Sequence, residues 1–233
     1  MPRLKLFLLQ TRLFLLFAPF LNLLSKIVWF LRLAQWTDKN KDVLFNDFPS
    51  KPDYYKRYKL YEYLLKNYIG TGAVSYFEFG VGDGETCAWW VKQLLHPDSA
   101  FYGFDTFEGL PEDWGIHKKG SFSMEGNLPS IQDDRVRLYK GLFQDTLTPF
   151  LTTYQDSRQK VIVMDADLYS ATLYVLTTMA PYLKEGDIIV FDEFFEPQHE
   201  FMAYYNFLQA YSSVRMKLIG AANNYTFTAF LIS

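Results

Sequence analysis

The chain has one cysteine, three histidines and no excess of positive charge over its 233 residues. The single Cys87 excludes an internal disulfide framework and is compatible with a reducing cytoplasm, the compartment expected for this chain. It follows a glycine-rich turn and has no histidine close in sequence, so it reads as a small packing residue, not a nucleophile. A formal net charge of −3 gives no electrostatic support for a nucleic-acid partner. Neither an internal repeat nor a low-complexity tract is present.

That balance conceals an asymmetry. Residues 1–35 carry Arg3, Lys5, Arg12, Lys26 and Arg32 and no acid, leaving 18 basic against 26 acidic side chains in the remainder. The same segment is rich in Leu and Phe. Its uncharged run between Arg12 and Lys26 is 13 residues long and contains Pro19 and Asn22, short of the ~20 residues of a transmembrane helix. Ser25-Lys26-Ile27 offers no small-x-small signal cleavage site. Two readings stay open for this arm: a cationic interfacial helix lying on an anionic membrane, or a helix packed on the domain or on a second subunit. The membrane surface is the favoured one, which would make the protein cytoplasmic but peripheral to the membrane.

Residues 36–70 read as a polar linker, with Asp-Phe-Pro-Ser-Lys-Pro, followed by a leading helix from Asp53 that Gly70 stops. From 71 to 233 apolar strands alternate with amphipathic helices. Strands are expected at 74–79, 101–104, 136–140, 160–166 and 187–192, with a final pair near 215–220 and 225–232. Helices fit at about 85–95, 145–155, 170–184 and 199–211. The pattern predicts an α/β fold: a Rossmann-like, doubly wound, mostly parallel seven-stranded sheet with helices on both faces, plus the N-terminal helical arm. Ligands of such sheets bind at the carboxyl ends of the strands. The stretch 111–132, rich in Pro, Gly, Ser and charge, reads as a long loop over that site.

The candidate chemistry sits at those strand ends. The run 74–86, Val-Ser-Tyr-Phe-Glu-Phe-Gly-Val-Gly-Asp-Gly-Glu-Thr, ends a strand in Glu78 and then alternates Gly80, Gly82 and Gly84 before a helix. Glycines there let the backbone approach a ligand, and the helix start offers free N–H groups. Asp105 ends the next strand 21 residues beyond Gly84, placed to bind ribose hydroxyls. Phe104 or Phe107 is a candidate wall for an adenine. Asp145 follows the third strand, either at a nucleobase edge or as a helix N-cap. Strict Gly-x-Gly-x-Gly after an acid favours S-adenosylmethionine over the G-x-G-x-x-G of NAD-binding oxidoreductases. Strands four and five release Asp165, Asp167, Asp192 and Glu193 from apolar runs. Bare carboxylates so close raise one another's pKa, and a hard divalent cation such as Mg²⁺ relieves that. Asp165, Asp192 and Glu193 are the candidate ligands, with Asp167 either capping the following helix or supporting the ligands from behind.

Five motifs carry a family resemblance: Phe-Glu-Phe-Gly-Val-Gly-Asp-Gly-Glu-Thr at 77–86, Gly-Phe-Asp-Thr-Phe-Glu-Gly-Leu-Pro at 103–111, Gly-Leu-Phe-Gln-Asp-Thr-Leu at 141–147, Met-Asp-Ala-Asp-Leu-Tyr-Ser-Ala-Thr at 164–172 and Gly-Asp-Ile-Ile-Val-Phe-Asp-Glu at 186–193. In these the chain resembles the class I S-adenosylmethionine-dependent methyltransferases, and within them the macrocin O-methyltransferase family of sugar O-methyltransferases. The resemblance implies metal-dependent methylation of a hydroxyl on a sugar or glycosylated small molecule. It places the cofactor on Glu78, Gly80, Gly82, Gly84, Asp105 and Asp145, and a metal triad on Asp165, Asp192 and Glu193. Asp-Glu stands where an Asp-Asp pair is usual. It also implies a homo-oligomer. Asp165, His199 and His117 are the candidate general bases. The rivals are a silent S-adenosylmethionine-binding scaffold and an NAD-binding oxidoreductase.

Overall fold

The computed structural model describes residues 2–233. Helices α1 (Pro2–Gln10), α2 (Phe14–Phe17) and α3 (Leu21–Lys39) form the N-terminal arm, followed by β1 (Phe45–Asn46) and α4 (Lys56–Leu64). The α/β succession is β2 (Val74–Phe79), α5 (Glu85–Gln93), β3 (Ala100–Asp105), β4 (Val136–Lys140), α6 (Phe143–Thr153), β5 (Gln159–Met164), α7 (Tyr169–Met179) and β6 (Ile188–Phe191). Helix α8 (Glu200–Ala210) and strands β7 (Met216–Ala222) and β8 (Phe227–Ile232) complete it. The strands form one sheet of order β1-β7-β8-β6-β5-β2-β3-β4. Only β8 runs antiparallel to its neighbours.

The Rossmann-like α/β architecture is the expected one, with two differences. The sheet has eight strands, because Phe45 and Asn46, inside the stretch read as linker, pair in parallel with Gly220 and Ala221 of β7. The arm also runs further, since α3 continues to Lys39. Its last turns are held by aromatic packing: Trp36 meets Phe194, Tyr204 and Tyr225 at ring centroid distances of 4.9, 5.9 and 6.0 Å.

Side chains alternate across the strands, so each strand feeds two cores. Phe77 and Phe79 of β2 face the layer that includes Leu147, Leu151, Val175 and Phe207. Val74 and Tyr76 face Leu60, Tyr61, Trp90 and Val91 of α4 and α5. The high aromatic content is spent here, as in the stack of Phe79 on Phe104 at 5.1 Å and Phe104 on Tyr139 at 4.9 Å. Phe104 is thereby committed to the core.

At the amino ends of β5 and β6, Lys160 and Asp187 form a buried ion pair at 3.2 Å. The Asp187 carboxylate also accepts the backbone N–H groups of Lys160 and Lys184 at 2.8 and 2.9 Å. Asp187→Ala leaves an ammonium buried without its partner, so it should lower unfolding stability by about 3–5 kcal/mol. Denaturant melts of the variant check this; a loss below about 1 kcal/mol would show the pair to be dispensable.

Candidate active site

A cavity of about 860 Å³ opens at the carboxyl edge of the sheet. Its floor is the turn after β2. Gly80 has φ +95°, and its N–H donates to the Phe104 carbonyl at 2.9 Å. A Cβ added there would lie 1.8 Å from the Asp165 carbonyl oxygen, so glycine is what lets this turn seat against β5. Gly82, at φ +53°, has nothing within 4 Å of its notional Cβ. Gly84 caps α5 in the left-handed conformation. The turn is thus packed on one side and open on the other.

Asp105 at the end of β3 clamps this turn. One carboxylate oxygen accepts the N–H groups of Val81 and Gly82 at 2.8 and 2.9 Å, and the other accepts the Phe107 N–H at 2.6 Å. Glu78 is fully buried in the cavity floor and accepts the Tyr76 hydroxyl at 2.6 Å. Burial pushes its carboxyl up to about 8, against the lowering effect of the Tyr76 hydrogen bond.

The wall opposite is acidic. Asp165, Asp167 and Glu193 line the cavity, while Asp192 is buried just behind. Burial comes first in raising all four, with mutual repulsion adding to Asp165, Asp167 and Glu193. Asp192 rises least, to about 6, because Arg57 opposes the shift. The Arg57 guanidinium lies 3.2 Å from Asp192 Oδ2 and 3.6 Å from the centre of the Tyr54 ring, and it donates to Thr86 Oγ1 at 3.2 Å. Tyr54 donates its hydroxyl to the same Asp192 oxygen at 3.0 Å. The other oxygen, Oδ1, is buried with no partner. Glu200 accepts the Glu193 N–H at 2.9 Å and so fixes the turn after β6.

Several expected residues stand elsewhere. Asp167 does not cap α7: the cap is Leu168, without a side-chain hydrogen bond, and Asp167 is held at φ +58° facing the cavity. Asp145 is exposed in the first turn of α6 and lines a separate groove beside Lys140 and Thr146, whereas its neighbours Leu142, Phe143 and Gln144 line the cavity. Phe104 and Phe107 are buried in packing and do not line it. His199 sits outside the cavity wall, edge-on to Trp114 at 6.3 Å, its Nδ1 buried without a partner. His117 does line the cavity, stacked on Trp114 at 5.3 Å, in the loop expected to cover the site. Among the described residues, no three His, Cys, Asp or Glu side chains are grouped closely enough to hold a metal ion as they stand.

Arg57 and Tyr54 were hidden from sequence reasoning because both look like ordinary positions of the leading helix. Only their packing against β6 and β8 reveals them; Tyr54 meets Phe227 at 5.4 Å.

A family model described as a methyltransferase domain matches residues 77–194. Among curated proteins the chain is similar to the mycinamicin III 3''-O-methyltransferase of Micromonospora griseorubida, 27% identical over 146 residues, covering 52% of this chain and 55% of that one. The chain therefore spans little more than half that relative's length. Among solved structures it resembles the calicheamicin methyltransferase CalS11, with a TM-score of 0.57 and 21% identity over 77% of this chain and 78% of the other. The O-methyltransferase NovP gives a TM-score of 0.53 and 19% identity over 76% and 78%. A CmcI structure with Mg and SAM gives 0.51 and 15% over 76% and 71%.

Two outcomes follow from this geometry. Gly80→Ala should fail to fold or melt far below the parent, whereas Gly82→Ala should lose only about 1–2 kcal/mol, the cost of a left-handed conformation for a residue with a side chain, and lose cofactor affinity. Equal stability of the two in thermal melts would contradict the packing described. Glu78 gives a pH signature. Were its ionised form to hold a cationic cofactor, binding S-adenosylmethionine below pH 8 would expel a proton. Affinity should then fall by up to about tenfold per pH unit as pH drops from 8, and Glu78→Gln should flatten that slope in calorimetric titrations.

Proposed function

The chain belongs to the S-adenosylmethionine-dependent methyltransferases, and from that premise we propose that it methylates a hydroxyl group of a sugar or glycoside, with a hard divalent cation bound beside the acceptor. The observation that carries this is the continuity of one cavity from Glu78, the open side of Gly82 and Asp105 to Asp165, Asp167 and Glu193. A cationic methyl donor and a hydroxyl acceptor fit its two ends. The relative from Micromonospora is named for O-methylation at a 3'' position, and CalS11 is also described as a TDP-rhamnose 3'-O-methyltransferase. Membership of the methyltransferase family leaves no place for the hydride-transfer alternative.

At the donor end the glycine turn lets the backbone approach the cofactor while Asp105 keeps that turn in shape. Glu78 supplies a negative charge for the cofactor's ammonium or sulfonium. Bound S-adenosylmethionine supplies the electrophilic methyl, which leaves sulfur as the acceptor oxygen forms the new C–O bond. Positioning of the two partners is the main source of rate in such a transfer.

At the acceptor end the donor set suits Mg²⁺: oxygen ligands only, carboxylates raised by burial and then by one another, and the orphaned Oδ1 of Asp192. Asp165, Asp192 and Glu193 would be the ligands. A cation held there would lower the pKa of an acceptor hydroxyl. Asp167 takes the hydroxyl proton; it faces the cavity, accepts no hydrogen bond among the described residues, and is held in a left-handed backbone conformation rare outside glycine. His199, behind Trp114, supports that wall and does not touch the reacting atoms.

Asp165→Asn should cut kcat by about 100-fold or more and abolish its dependence on added Mg²⁺, with S-adenosylhomocysteine affinity within about threefold of the parent, well under one 1.4 kcal/mol step. Asp167→Asn should lower kcat comparably while keeping both cofactor and metal binding. Full activity in EDTA with the parent enzyme would remove the cation from this scheme, and full activity of Asp165→Asn would remove the acceptor site.

A further inference from the structure

The arm concentrates the exposed apolar side chains. Among the described residues, eighteen of the 28 large hydrophobic side chains that are exposed lie between Leu4 and Leu31. From residue 3 to residue 24 every position but Thr11 is exposed, with Leu9 at 82% and Leu16 at 68%. Further on, α3 is two-faced. Ser25 accepts the Gln198 side-chain amide at 3.1 Å, Trp29 packs edge-on against Tyr205 at 5.6 Å, and Leu33 is buried. Their spacing of four residues is one helix face, and it belongs to the domain. Leu24, Ile27, Val28 and Leu31 point away from it into solvent.

We propose that residues 4–24 insert into one leaflet of a lipid bilayer containing anionic phospholipids and hold the catalytic domain against its surface. Between Leu13 and Leu24 the arm is apolar on every side but for Asn22, whereas an interfacial helix carries a polar face. A helix hydrophobic all round belongs in a core or in lipid, and no core covers this one. The helical stretch Phe14–Lys39 is long and apolar enough to enter a membrane. From Phe14 to Leu24, ahead of the turns that pack on the domain, it extends about 16 Å at 1.5 Å per residue, about half of the ~30 Å hydrocarbon core. Charge favours lipid over a pairing of two arms. Arg3, Lys5, Arg12, Lys26 and Arg32 are the only charged residues before Asp38, so two arms side by side would oppose like charges, while phospholipid phosphates would neutralise them. Arg32 lies 4.6 Å from the Trp29 ring centre and 5.1 Å from that of Tyr205. This arginine–aromatic group at the junction with the domain is of the kind enriched at membrane–water boundaries. The domain is joined there through Phe201 and Tyr205 of α8 and through Gln198.

The test is flotation of the full chain, synthesised in the presence of mixed phosphatidylcholine–phosphatidylglycerol vesicles, of phosphatidylcholine vesicles, or of none. The parent should float with the mixed vesicles and stay with them through a high-salt wash, which screens surface charge without disturbing inserted apolar groups. A Leu15→Asp, Leu16→Asp, Leu23→Asp variant, altered only at exposed positions, should lose most of its floated fraction while keeping the parent's circular dichroism melt. Complete release by salt would overturn insertion. So would flotation of the variant at the parent's level, or a parent that stays at the bottom of the gradient as a discrete oligomer.

Discussion

Four neighbouring parallel strands each bring an acid to the same edge of the sheet: Asp192 after β6, Asp165 after β5, Glu78 in β2 and Asp105 at the end of β3. Strands about 4.8 Å apart allow no wide separation of their ends, so the fold gathers negative charge where it also excludes water. Asp105 is met by backbone N–H groups and Asp192 by Arg57. Glu78, Asp165 and Glu193 are left with carboxyl groups pushed upward by burial, and repulsion adds to each. Such a site is strained towards cations. Cationic ligands would relieve it, and the open side of the glycine turn gives one room to approach.

The strands and their terminal acids were legible because an apolar run ended by Asp or Glu can only expose that acid at the strand's end. The strand ranges at 74–79 and 136–140 were read without error. The eighth strand was not, since Phe45 and Asn46 are recruited by pairing with β7 and carry no period of their own. Asp before a helix is a good cap, which suggests that role for Asp167; the chain instead turns left-handed there, and Leu168 becomes the cap. Phe104 looked available to an adenine because its strand end faces the site, yet its ring is taken by Phe79 and Tyr139. Asp145 missed the cavity by one residue on a helix, where neighbouring positions point about 100° apart. Arg57 required tertiary contacts to be seen at all, since nothing local distinguishes it from Lys56 or Lys59.

The arm follows the opposite logic from the domain. In the domain apolar side chains are covered and acids are concentrated; between Leu4 and Leu31 most apolar side chains are exposed, and every charge in residues 1–35 is basic. Trp29, Leu33 and Trp36 join the two regimes by packing one face of α3 onto α8 and the β-sheet. That attachment fixes the helix direction and leaves its upstream turns without protein neighbours.

The most direct measurement is calorimetric titration of the purified, folded chain with S-adenosylhomocysteine. One site per chain with a dissociation constant on the order of micromolar, lost in Gly82→Ala, is the predicted result. A folded protein that takes up no ligand, or binds it equally well without the open side of that turn, would contradict the placement of the donor and the reading of the cavity built on it.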